Sequence, residues 1–193
     1  PDCSTGDCSG ILIDIPPNFF NKFCEFKLPN AGDYAVSKVF LPKKENQRLF
    51  CINSFESEIK NQGLKLIGWR DVPVNNTVLG EIAKTTEPFV KQLFIGKSNA
   101  EQSDFDFNLK LFAARKITEH TIYNSKLSES QFFYVPSLST KIIIFKGLLK
   151  PEHINEYYLD LYNSSLDTRL ALVHQRFSTN TFPTWDLAPQ WRN

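Results

Sequence analysis

The run Leu170-Ala171-Leu172-Val173 is apolar at positions of both parities, and His174, Gln175 and Arg176 follow it directly. Successive side chains of a strand point to opposite faces, so a strand apolar at both parities is expected to be covered on both faces, as in a layered α/β domain. Arg176 then shares a face with Leu172 and His174 and should emerge at the mouth of whatever that face packs against. A guanidinium in that place is a planar fork suited to a carboxylate. A salt bridge at the strand end is the plainer alternative.

The rest of the chain narrows the options. At 193 residues and 41% hydrophobic it can build one sizeable core, so a single domain over residues 1–193 is expected. No apolar run approaches the roughly 20 residues of a membrane-spanning helix. Basic and acidic residues number 22 and 21 without a dense cationic block, so nothing calls for nucleic acid or an anionic membrane as partner. Four cysteines at irregular spacing read as reduced thiols. Cys3 and Cys8 are close in sequence but lack a second ligand pair, so no metal site is expected. The chain starts at Pro1 and has no methionine, which suggests a piece of a longer protein.

Strands are expected at Ile11 to Ile15, Tyr34 to Leu41, Leu64 to Trp69 and Lys91 to Ile95. Phe19, Phe20 and Phe23 suggest a short helical turn. Ser54 reads as the N-cap of a helix carrying Phe55 and Ile59 and stopped by Gly63, with the charged residues from Lys43 to Asn46 as a turn before it. Ser103 and Asp106 have the form of a capping box, opening a helix that carries Leu109, Phe112, Ala113, Lys116 and Ile117. Phe132 to Val135 and Lys141 to Phe145, separated by Pro136 to Thr140, read as a hairpin. Pro151 opens a last helix with Ile154, Tyr157, Tyr158 and Leu161 at i, i+3, i+4 and i+7.

The segment His174-Gln175-Arg176-Phe177-Ser178-Thr179-Asn180-Thr181-Phe182-Pro183-Thr184-Trp185 resembles the HxRFSTNTFPxW signature of the glutamine amidotransferase domain of glutamate synthase large chains. Other segments agree in order. Gly6 to Leu12 resembles GDGAGIL, Ile15-Pro16 with Phe19-Phe20 resembles IPxxFF, and Gly68 to Val74 resembles GWRxVPV. Arg115-Lys116 matches the RK of the family's helical region, and Phe133 to Ser139 with Lys146-Gly147 matches its FYxxSLS and YKG pair. Cys8 departs from the pattern by standing where the family has a glycine, so its side chain is expected to crowd a turn of positive φ.

The resemblance implies a four-layer αββα sandwich of the N-terminal-nucleophile type, incomplete at both ends in this chain. It implies that glutamine is hydrolysed to glutamate and ammonia, with the ammonia passed to a synthase domain that acts on 2-oxoglutarate. The nucleophilic cysteine is expected upstream of Pro1, which leaves Cys3 no catalytic role, and the oxyanion-hole Asn-Gly is expected beyond Asn193. The piece is therefore expected to be inactive alone. Arg176 carries over as the clamp on the α-carboxylate of glutamine, with Thr179 and Asn180 beside the bound amino acid. His174 is left as a packed strand residue, and Trp185 and Phe182 are expected to pack under the loop. FMN and an iron–sulfur cluster are expected in the full-length enzyme, with ferredoxin favoured over NAD(P)H as electron donor. The 17 phenylalanines and many Asn, Lys and Ile suggest an AT-rich genome, fitting a plastid stroma, with a bacterial cytoplasm as the alternative. Another class II amidotransferase and a non-catalytic binding module on the same fold are the competing readings.

Overall fold

The computed structural model describes residues 8–175 and 184–188. Among these residues, seven strands form two antiparallel sheets. The first sheet is three-stranded, with β1 (Ser9–Asp14) between β6 (Ile142–Gly147) and β7 (Ala171–Gln175). The second is four-stranded, in the order β3 (Lys65–Asp71), β4 (Phe89–Gly96), β2 (Tyr34–Leu41) and β5 (Tyr134–Ser139). Period-2 alternation in β2 explains how the two cores separate. Tyr34, Val36 and Phe40 join Ile13, Phe94 and Phe145 between the sheets, whereas Ala35, Val39 and Leu41 face the helices. On that outer face lie α2 (Glu45–Asn61) and α4 (Asp104–Tyr123), which contribute Cys51, Phe55 and Ile59 and Phe107, Leu111 and Ala114. Two facing sheets, with α2 and α4 outside the four-stranded one, are of the α/β sandwich class expected from the sequence.

The short α1 (Pro17–Phe23) buries Phe19 and Phe20, as expected, whereas Phe23, expected on the core with them, is exposed. The stretch after β3 holds a 3-10 turn (Asn76–Val78) and α3 (Glu81–Thr86). Ser103 caps α4 by accepting from the Asp106 N–H at 3.1 Å, and Gly63 ends α2 with φ +71°.

Four expectations are corrected. Helix α2 begins at Glu45, not after Ser54, whose hydroxyl donates back to the Phe50 carbonyl at 2.8 Å inside the helix. Lys43 to Asn46 is therefore no simple turn: Glu45 and Asn46 already belong to the helix, and Gln47, Cys51, Phe55 and Ile59 make one buried stripe at i, i+4, i+8 and i+12. The strands β5 and β6 do not form a hairpin. They lie in different sheets, and Pro136 sits in an edge strand where the β2–β5 register shifts, the place where a missing N–H is tolerated.

The last helix is broken into α5 (Ile154–Tyr157) and α6 (Leu159–Tyr162). Tyr158 between them is extended and bridges Val74, so that both adjacent phenols are buried with separate acceptors: Tyr157 donates to Glu87 at 2.9 Å and Tyr158 to the Lys146 carbonyl at 2.7 Å. Finally, β7 is not covered on both faces. It is an edge strand whose five residues are all exposed, Val173 by 71%. Its register is set at its start, where Asp14 accepts from Thr168 Oγ1, Arg169 Nε and the Leu170 N–H, all at 2.9 Å.

Candidate functional site

Antiparallel pairing brings three strand ends together. Ser9 stands opposite both Gln175 of β7 and Gly147 of β6, and Gly10 stands opposite His174. Here Ser9, Gly10, Ile11, Pro151, Ile154, Val173, His174 and Gln175 line a cleft of about 190 Å³. It is smaller than the roughly 300–1,000 Å³ of drug-sized sites. Arg176, Thr179 and Asn180 follow β7 in the chain but lie outside the described residues, as do Cys3 and Phe182. His174, expected to be packed, is exposed on the cleft. Ser9 Oγ is buried there without a hydrogen-bond partner among the described residues, a hydroxyl the sequence reading did not single out. Cys8 is buried, and no non-glycine residue among those described has positive φ, so the Gly-to-Cys departure leaves the backbone unstrained.

At the end of the signature segment, Trp185 is buried as expected. Its ring lies against Gly147, where an added Cβ would stand 2.5 Å from Cζ3, and meets Phe40 edge-on at 6.0 Å. Its indole N–H donates to the Ala83 carbonyl at 3.2 Å. Lys146, fully buried, donates to the carbonyls of Asp186 at 2.8 Å and Ala188 at 2.9 Å. The YKG pair and the tryptophan that closes the signature thus form one anchor. Gly147→Ala is expected to cost about 1–3 kcal/mol by overpacking against the ring, read as faster hydrogen exchange in β6 with Trp185 displaced.

A second arrangement lies between the sheets. Strand register aligns Arg70, Gln92, Lys38 and Ser137 across β3, β4, β2 and β5. Arg70 makes a bidentate pair with Asp160, both bonds 2.7 Å, and donates to Gln92 Oε1 at 2.8 Å. Lys38 is wholly buried with its ammonium 3.4 Å from the Phe145 ring centroid and 4.5 Å from that of Tyr158. Neither Lys38 Nζ nor Gln92 Nε2 has a hydrogen-bond partner among the described residues. Burial pushes the Lys38 amine well below its ordinary pKa, with Asp160 opposing and Arg70 adding to the shift. One signal for this row was present in the sequence: Lys38 interrupts an otherwise apolar face of β2.

Two of the described thiols, Cys24 and Cys51, do not suit nucleophilic work. Burial raises Cys24 to about 11 and Cys51 to about 12, holding both as thiols at neutral pH. Among the described residues no three His, Cys, Asp or Glu side chains are grouped to hold a metal. No helix described is long and apolar enough to cross a membrane.

Two facing antiparallel sheets with helices outside one of them define a layered α/β sandwich, with a cleft where termini of β1, β6 and β7 meet. Residues 1–193 match the family model described as glutamine amidotransferases class-II, and the chain belongs to that family. It is 42% identical over 188 residues to the Glutamate synthase [NADPH] large chain of Bacillus subtilis (strain 168), a match covering 97% of this chain and 12% of that protein. It is 38% identical over 201 residues to the Glutamate synthase [NADH] of Saccharomyces cerevisiae, covering 97% of this chain and 9% of the relative. Against the Ferredoxin-dependent glutamate synthase, chloroplastic, of Oryza sativa subsp. japonica, identity is 34% over 197 residues, covering 99% and 12%. The chain thus spans about a tenth of the length of these relatives.

Proposed function

We propose that this chain is part of the glutaminase domain of a glutamate synthase, in which glutamine is bound and hydrolysed and its ammonia is used to make glutamate from 2-oxoglutarate. The observation that carries this reading is the register that sets the end of β7, with the first signature residues His174 and Gln175, beside the Ser9–Gly10 cleft. Arg176 grips the α-carboxylate of glutamine through a bidentate charge-assisted pair, and Thr179 and Asn180 flank the bound amino acid. A cysteine supplied from outside residues 1–193 attacks the side-chain amide carbon. Ammonia leaves, and water then cleaves the thioester to glutamate and free thiol. Cys24 and Cys51, held as thiols in the core, leave that role to another residue.

FMN and an iron–sulfur cluster would supply redox chemistry in the synthase part. The scattered thiols Cys8, Cys24 and Cys51 do not fit a cluster, so such groups would be held by other parts of a longer chain. The composition supports a ferredoxin-dependent enzyme of a plastid stroma. The similarities do not separate that form from a bacterial one, since relatives named for NADPH, NADH and ferredoxin all match nearly the whole chain.

In the full-length enzyme, Arg176→Ala is expected to raise the KM for glutamine by about 10- to 100-fold, matching a charged hydrogen-bonding pair of roughly 1.5–3 kcal/mol. Synthesis from added ammonia should be unchanged. An unaltered glutamine KM would remove the clamp from Arg176.

A further inference from the structure

The cleft at the end of β7 is an aliphatic slot with one buried hydroxyl. In the antiparallel register Ser9 stands opposite Gln175 and Ile11 opposite Val173, so these four side chains share one face of the sheet. Pro151 and Ile154, at the turn into α5, complete the lining. No Lys, Arg, Asp or Glu side chain lies among the described lining residues, and His174 is their one ionisable group. Ser9 is 2% exposed, and its Oγ has no hydrogen-bond partner among the described residues. Buried side-chain hydroxyls ordinarily have a partner, so one left open on a cleft is placed to take it from a ligand.

This lining selects which end of a glutamine it can hold. An ionised group leaves water only at high cost unless it is paired, so neither the α-ammonium nor the α-carboxylate suits a slot without charged side chains. The side-chain amide is uncharged, and the aliphatic stem that carries it matches Ile11 and Val173. An amide offers N–H donors and a carbonyl acceptor, and a serine hydroxyl can meet either. Attack at the amide carbon gathers negative charge on the carbonyl oxygen, which belongs to the donors of an oxyanion site. The nitrogen is left for Ser9.

We propose that Ser9 binds the side-chain amide of glutamine, its Oγ accepting from the amide N–H while Ile11 and Val173 pack on the aliphatic stem. The contact rests on the reading of this chain as the glutaminase part of a longer enzyme, and adds to it a residue that separates substrate from product. Glutamate has no amide N–H to donate, and its side-chain carboxylate would bring a charge into the aliphatic slot. Hydrolysis therefore removes the interaction that Ser9 makes.

The test is the Ser9→Ala variant of the full-length enzyme. Its hydroxyl has no protein partner to strand, and alanine stands at this place in the GDGAGIL pattern, so the fold accommodates the change. The KM for glutamine is expected to rise about 3- to 10-fold, the range of one neutral hydrogen bond, with kcat held within about twofold. Inhibition by glutamate and synthesis from added ammonia should stay as in the parent, because neither uses the amide. An unchanged glutamine KM overturns the contact. Equal weakening of glutamine and glutamate also overturns it, since a general distortion of the cleft would act on both. Arg176→Ala, measured in parallel, separates the two readings. A raised glutamine KM there with none in Ser9→Ala leaves the glutaminase reading standing and removes the Ser9 contact, whereas a parent enzyme without glutamine-dependent activity removes both.

Discussion

Replacing Asp160 with alanine is expected to loosen the inter-sheet core by about 3–5 kcal/mol, because removing one partner of a buried pair leaves an uncompensated charge. The Asp160 side chain is 3% exposed and that of Arg70 11%, and their two 2.7 Å bonds are the contact that ties α6 to β3 across the core. The stranded guanidinium would keep Gln92 Oε1 as acceptor but lose its anionic partner. Amides of β3 and β4 should exchange with solvent about 10²- to 10³-fold faster in the full-length variant, measured peptide by peptide. Replacing both partners with apolar residues, as in Arg70→Met with Asp160→Leu, should recover much of the loss, since it removes both desolvation costs. A change of less than about threefold in Asp160→Ala would show that the pair is not holding the core.

Lys38→Met is expected to stabilise the same region at neutral pH, by about 2–4 kcal/mol on the scale of buried ionisable groups exchanged for apolar ones. The amine is enclosed by the Phe145 and Tyr158 rings, with the Arg70–Asp160 pair the charged neighbours acting on it. Burial lowers its folded-state pKa, so between that value and the unfolded lysine value near ~10.4 the unfolded chain binds the extra proton. The lysine therefore weakens folding progressively as pH falls below the unfolded value, until the folded pKa is passed. The advantage of Lys38→Met should accordingly be large at pH 7 and shrink as pH rises toward 10. Hydrogen exchange of β2 and β4 peptides, compared with the parent at each pH, reads it directly. A pH-independent difference would mean that packing alone distinguishes the two side chains.

Local patterns were readable where local physics decides. Ser103 capped its helix, Gly63 ended one, and Tyr34 to Leu41 formed a strand with the bounds that alternation and Pro42 suggest. The family motifs were readable too, and the structure gives several of them structural work: Arg70 of GWRxVPV holds Asp160, Lys146 of YKG holds the carbonyls after Trp185, and Trp185 covers Gly147. Which face of α4 is buried was not readable, because both faces carry apolar side chains at helical spacing and only the position of the sheet chooses between them. Ser54 looked like a cap because an isolated serine before apolar residues is ambiguous, whereas the stripe from Gln47 to Ile59 settles the helix over its full length.

The run at Leu170 to Val173 marks the division most clearly. The sequence by itself determined a β-strand leading into an arginine-bearing signature, since composition and parity act over a few residues. Only the tertiary structure decided that this strand lies at a sheet edge with its apolar side chains exposed, and that its end meets the ends of β1 and β6. The same holds for Lys38, Gln92, Arg70 and Asp160, whose separation along the chain hides a row that forms when three strands come into register and α6 closes on them. Pairing between distant segments is chosen by the burial of the whole core, and no short window of sequence contains it.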